Sequence, residues 1–199
     1  MSIPYERTIV FDLETQKAFN EVDRSKPHLL KVSVLGAYDY SASEYLMYEE
    51  KELPQFEERL KKAELVVGFN IRSFDLPVLQ PYLGLDVKTL PVLDLLVEIE
   101  KVLGHRVSLQ SLAQATLGEG KSGSGLQAIE LFREGKMEEL KAYCRDDVKI
   151  TKNLYEYGLL NGKVSYRSNR DYQTHTLEVD WASHAPQVPP QETFPSGLF

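Results

Sequence analysis

Cysteine is almost absent: Cys144 stands alone among 199 residues, which excludes an intramolecular disulfide and any zinc site built on a cysteine cluster. The four histidines, at 28, 105, 175 and 184, show no metal-ligand spacing, and none is expected to be catalytic. No apolar run approaches the ~18–20 residues of a membrane helix, and residues 1–6 lack a secretory leader's basic-then-apolar pattern. These absences predict a cytoplasmic, reduced protein with no membrane partner. Positive charge is also short. The 23 lysines and arginines against 30 aspartates and glutamates give a net charge of −7. That excludes a protein that grips polyanions by bulk electrostatics. It does not exclude an acidic centre that works through divalent cations. Internal repeats and long low-complexity tracts are missing too.

What is present fits one α/β domain, long enough to bury roughly 70% of its unfolded surface. Residues 7–13, 29–40 and 43–49 predict three antiparallel strands rich in Val, Leu and Tyr. Residues 53–63 have helical spacing, and 65–69 form a short apolar run suited to a buried strand. A second helix is expected over 73–80, with Ser73 as its N-cap. Helices follow over 95–103, 109–117, 126–133 and 137–160, separated by glycine-bearing loops. Residues 163–181 suit a short hairpin, and 186–199, with four of the ten prolines, read as a tail. Strands first and helices later predict one mixed sheet covered by helices.

Several acids sit in apolar surroundings. Thr8-Ile-Val-Phe-Asp-Leu-Glu is apolar on both faces, the mark of a central strand. With a period of two, Asp12 and Glu14 continue the face of Val10, about 6–7 Å apart. Taken alone, a strand ending in the polar turn Glu14-Thr15-Gln16 accounts for them as well. Asp75 lies between Phe74 and Leu76 at a helix start, where an acid also merely complements the dipole. On a helical wheel for 137–160, with Lys141 at ~0°, the apolar arc spans ~180–280°. Asp147 falls at ~240°, in its middle, and Tyr143 at ~200°. Asp146, at ~140°, lies outside the arc. Lys141, Arg145, Lys149 and Lys152 form a basic stripe on the far side, expected as a solvated face. Oxygen donors gathered from three segments suit the hard ions Mg²⁺ and Mn²⁺.

Two other signals lead elsewhere. Gly120-Lys121-Ser122 hints at a phosphate loop, but Ala115 stands where that motif needs its first glycine, and helices flank the run. A linker is the better reading. Phe69 and Phe74 offer rings for base stacking, with core packing the simpler role.

Phe11-Asp12-Leu13-Glu14-Thr15, Gly68-Phe69-Asn70-Ile71-Arg72-Ser73-Phe74-Asp75-Leu76-Pro77 and Tyr143-Cys144-Arg145-Asp146-Asp147 resemble three motifs of one family. They are those of the DEDD superfamily of 3′-to-5′ exonucleases, tyrosine subclass. The second motif takes the form seen in proofreading domains of B-family DNA polymerases. Stand-alone RNase H-like exonuclease domains of bacteria and archaea are similar as well, including at Ser108-Leu-Gln-Ser-Leu-Ala. The likeness covers about residues 6–160. It implies an RNase H-like fold over 1–162, with three antiparallel N-terminal strands plus parallel strands and flanking helices, followed by an extension over 163–199. It implies that Asp12, Glu14, Asp75 and Asp147 bind two divalent ions, Mg²⁺ or Mn²⁺, with Tyr143 orienting the attacking water. By the same likeness Leu13, Thr15 and Asn70 contact the substrate. The implied partner is single-stranded nucleic acid, DNA favoured over RNA, with the tail offered to a replication or repair protein. An exoribonuclease and a catalytically silent binding module are the alternatives.

Overall fold

In the computed structural model, which describes residues 7–120, 123 and 125–184, the segment TIVFDLET forms the central strand β1 (Thr8–Thr15). Apolar side chains on both faces make it a strand that must be covered twice, and its neighbours supply the cover. Strands β2 (Val32–Asp39) and β3 (Glu44–Glu49) run antiparallel on one side. On the other side lie β4 (Leu65–Gly68) and β5 (Val92–Asp94), both parallel. The order is β3-β2-β1-β4-β5, the mixed sheet with flanking helices that the sequence predicts.

The two faces of β1 feed two cores. Ile9, Phe11 and Leu13 pack with Leu53, Phe56 and Leu60 of α1 (Leu53–Leu60) and with Leu76, Val78 and Leu79 of α2 (Asp75–Leu79). Val10, on the opposite face, joins Val67 and Leu93. They meet α3 (Leu95–Leu103), α4 (Leu109–Leu117) and the long helix α6 (Met137–Asn161). Helix α5 (Gly125–Arg133) closes a smaller cluster in which Ala128 and Leu131 meet Leu140, Tyr143 and Cys144 of α6.

Four local expectations need correction or completion. The second strand starts at Val32 instead of 29, because Pro27–Leu30 winds into a 3-10 turn with proline at its first position. Helix α2 begins at Asp75 with Phe74 as its N-cap, and the Ser73 hydroxyl donates to Asn70 Oδ1 (2.6 Å) instead of capping. Strand β5 carries no signal in the sequence, since three residues are too few to show a period. The hairpin does form, as β6 (Lys163–Arg167) and β7 (Thr174–Glu178). It shares the α4–α6 core through Val164, Tyr166 and Leu177, and Trp181 beyond it is 1% exposed. The tail over 186–199 lies outside the described residues, as do residues 1–6 and Lys121 and Ser122 of the glycine-rich run. Among the described residues no helix is long and apolar enough to cross a membrane.

Trp181 rests on Gly158 of α6, where a Cβ would run into the indole ring. The segment after β7 is thereby tied to the main core. Trp181→Ala should cost about 3–5 kcal/mol in chemical denaturation, and Gly158→Val about 1–3 kcal/mol or more. A Trp181→Ala midpoint equal to that of the parent would show that this segment is not part of the cooperative unit.

Candidate metal centre

Three of the acids meet. Asp12, Glu14 and Asp147 each offer a carboxylate oxygen, and these oxygens lie within 4.8 Å of one another. Asp12 and Glu14 do continue the face of Val10, and β1 runs on through Thr15 instead of ending in a turn at Glu14. Asp147 is 1% exposed and Glu14 8%, whereas Asp146 is exposed, as the wheel predicts. At an effective dielectric of about 20, charges this close repel by roughly 3 kcal/mol or more per pair.

Register and a missing side chain bring α6 this close. Asp12 pairs with Gly36 across the β1–β2 ladder. A Cβ on Gly36 would stand 3.0 Å from both Cys144 Sγ and Val148 Cγ2. Glycine there lets α6 lie directly on β2, which carries Asp147 to Asp12. Cys144 is fully buried beneath the acids, its thiol 3.6 Å from the Asp12 carbonyl oxygen. Burial first, then the charges of Asp12, Glu14 and Asp147, push that thiol well above its usual range. It therefore stays protonated, and the donor set is oxygen alone.

Asp75 approaches from the other side of β1. Strand β4 pairs with β1 only as far as Val10 and ends at Gly68, so β1 has no parallel neighbour beyond. Asp75 fills the gap, its Oδ1 accepting the Leu13 N–H at 3.1 Å. It is 2% exposed. Desolvation, followed by repulsion from Asp12, raises its carboxyl well above the ordinary range. Its oxygens are not in the group within 4.8 Å, but Asp12 couples it to that group electrostatically.

Tyr143 lies one helical turn before Asp147, 6% exposed, with its ring beside Gly123 of the loop between α4 and α5. Leu13 points its side chain into the α1–α2 core, away from the carboxylates. The Thr15 hydroxyl donates to the Lys17 carbonyl oxygen at 2.9 Å. Asn70 takes a left-handed backbone (φ 67°), which asparagine tolerates, and its side-chain oxygen accepts from Ser73 and from Arg106. Phe69 and Phe74 are both partly buried against the cores, and the Phe74 ring lies 5.4 Å from that of Phe19.

One residue that matters here was assigned no role from sequence. Asp94, 1% exposed at the end of β5, accepts four backbone N–H groups. Two belong to the loop after β4, Asn70 (2.8 Å) and Arg72 (2.9 Å). The others, Leu96 and Val97, begin α3. It fixes the loop that delivers Asn70 and Asp75. Its signal was available: an aspartate directly before the apolar helical run at Leu95 is an N-cap pattern. The basic stripe of α6 is solvated in part, as expected: Arg145 and Lys149 are exposed, while Lys141 and Lys152 are half-buried. Three of its members also reach the β2–β3 hairpin, Lys141 on Glu49 (2.9 Å), Arg145 over the Tyr45 ring and Lys152 over that of Tyr38.

A family model described as the RNase_H superfamily matches residues 9–158 of this chain, three quarters of its length. None of the curated proteins compared with the chain matches it.

The crowding of carboxylates generates a stability test. In chelator, ionised Asp75 burdens the native state, so its protonated form favours folding below the ordinary value of 3.8. That contribution is lost as pH rises through the elevated native value. Asp75→Asn keeps an oxygen for the Leu13 N–H and removes the charge. It should melt higher than the parent at neutral pH, by about 2–4 °C per kcal/mol relieved, and the gain should vanish toward acid pH. A gain that does not depend on pH would contradict a repelled carboxylate. Asp94→Ala should cost about 2–4 kcal/mol, the sum of a lost cap and buried donors left unpaired, with Asp94→Asn retaining part of it.

Proposed function

Because the chain belongs to the RNase_H superfamily, a fold of nuclease-type hydrolases, we propose that it is a metal-dependent 3′-to-5′ exonuclease. It hydrolyses the terminal phosphodiester of single-stranded DNA and releases nucleoside 5′-monophosphates. The observation that carries this reading is the meeting of Asp12, Glu14 and Asp147 within 4.8 Å, with Asp75 coupled to Asp12.

The residues suit hard divalent cations. The donors are oxygens, three of the four are buried, and their like charges favour a bound cation over none. Asp12, Glu14, Asp75 and Asp147 would hold two Mg²⁺ or Mn²⁺ ions. Such a pair supplies activation of a water and neutralisation of charge on the transferred phosphoryl group. Asp12 acts on Asp75 electrostatically and has an oxygen within 4.8 Å of the other two acids, so it would belong with both sets of donors. Tyr143 orients the attacking water; a phenol ordinarily titrates near ~10, so at neutral pH it acts as a hydrogen-bonding group and not as the base. Thr15 and Asn70 flank the acids at the ends of β1 and β4 and position the terminal nucleotide. Leu13, with its side chain in the core, takes part through the strand backbone. The preference for DNA rests on the likeness of the second motif to polymerase proofreading domains.

Activity on single-stranded oligonucleotides should require Mg²⁺ or Mn²⁺ and vanish in chelator. Asp147→Ala should abolish cleavage, by about 10³-fold or more if transition-state charge is left unneutralised. Asp146→Ala should retain most of it. Full cleavage in excess chelator overturns the two-ion reading, and equal losses in the two variants overturn the assignment on α6. Parallel digestion of matched DNA and RNA oligonucleotides settles the sugar: faster loss of RNA makes the protein an exoribonuclease by the same chemistry.

A further inference from the structure

The exonuclease reading leaves unexplained how an acidic chain holds a polyanion. A wide cavity, about 1090 Å³ between α1 and the β2–β3 hairpin, does not answer it. Its cations are matched by acids and largely committed, Arg7 to Glu64 (2.6 Å), Arg59 to Asp39 (2.6 Å) and Lys61 to Glu58 (2.7 Å). A second cleft, about 640 Å³, lies between the loop joining α3 to α4 and the β6–β7 hairpin. Arg106, Arg167 and Arg170 line it against a single acid, Asp171. Among the described residues none of the three arginines makes an ion pair.

Asp171 offsets one of their three charges at most. It accepts the Gln173 N–H (3.0 Å) and pairs with His175 Nε2 (2.8 Å), so it is spent on its own turn. These bonds, with the Ser168 hydroxyl, hold it down at about 2, ionised throughout the working range. The pairing also fixes His175 in a stack on Tyr166, ring centroids 5.6 Å apart, with the edge of His105 on the same tyrosine at 6.0 Å. Tyr166 is buried while both histidines are exposed, so the imidazoles present flat surfaces beside the arginines. Guanidinium groups free of ion pairs among the described residues, interleaved with exposed planar rings, are the chemistry that tracks a phosphate backbone and stacks its bases.

The cleft is also joined to the acidic centre. Arg106 donates to Asn70, whose loop carries Asp75 to β1. The Ser111 hydroxyl of α4 is tied to the Arg167 backbone at both N–H and carbonyl (3.0 and 2.8 Å), which fixes the hairpin against the helices. We propose that this cleft is the track for the single strand upstream of the bond to be cut, with Arg106, Arg167 and Arg170 on phosphates and His105 and His175 under bases. The proposal rests on the exonuclease reading for the placing of the 3′ end, but the cleft's affinity for a single strand does not need the metals.

The test separates the two. Anisotropy of a labelled oligothymidylate with the full chain in chelator reads binding without cleavage. The Arg167→Glu/Arg170→Glu variant should bind about tenfold more weakly per arginine lost. Its slope of log affinity against log salt should be shallower by about 1.4, two phosphates at about 0.7 each. Arg167→Lys/Arg170→Lys should restore the slope. Lys61→Glu/Lys62→Glu, the same charge change at the opposite end of the sheet, should match the parent. Unchanged affinity and slope in a charge-reversed variant with the parent's melting curve overturns the track, as does an equal loss in the Lys61/Lys62 control. The parent's hydrolysis of a thymidine p-nitrophenyl phosphate ester in Mn²⁺, too small to reach the cleft, reads the acidic centre by itself. No hydrolysis, with binding that still depends on the two arginines, sinks the exonuclease reading and leaves the track standing.

Discussion

Like charges forced together on an otherwise apolar sheet are the constraint from which the rest of this structure follows. Asp12, Glu14 and Asp147 sit with oxygens inside 4.8 Å, and Asp75 is held above its ordinary protonation range by burial and by Asp12. No fold gains stability from such an arrangement unless something positive completes it. The surrounding packing shows how firmly it is imposed. β1 is buried on both faces, α6 is pressed on β2 through the bare backbone of Gly36, and Asp75 substitutes for the strand that β4 does not extend. Together they fix two acids on β1, one on α6 and one at the start of α2, which limits how far the carboxylates can relax apart. A site that must bind ions in one geometry needs that rigidity.

The loop between β4 and α2 is tied down by hydrogen bonds to β5 and its end. Asp94 gathers its backbone N–H groups and those of the α3 start on one carboxylate, while the Arg72 side chain returns to the Val92 carbonyl oxygen (2.7 Å). The same loop reaches Arg106 through Asn70. The acidic centre and the arginine-lined cleft are thus two ends of one hydrogen-bonded stretch. A negative chain with a local positive cleft keeps non-specific polyanion binding weak while leaving a place for one strand.

Much of this was legible in the residues. The last four helices end where glycine enters or follows the apolar period, and the observed bounds differ from the expected ones by one residue at most. The strand period placed Asp12 and Glu14 on one face, and the wheel separated buried Asp147 from exposed Asp146, because both arguments use repeats longer than a turn. Short elements escaped. Three residues of β5 carry no period, and Ser73 resembles an N-cap until Asn70 claims its hydroxyl. A wheel knows one helix only, so it shows the basic stripe of α6 as an outer face but not the β2 and β3 tyrosines that Arg145 and Lys152 meet.

Sequence by itself determined the order of the longer elements, the mixed character of the sheet and the acids that break an apolar pattern, since these are properties of neighbours along the chain. Only the tertiary structure decided that the acids meet, that Asp94 anchors their loop, and that arginines 106, 167 and 170 share a cleft. Those contacts join residues up to 135 positions apart, and no local period encodes which distant backbone lacks a Cβ or a hydrogen-bond partner.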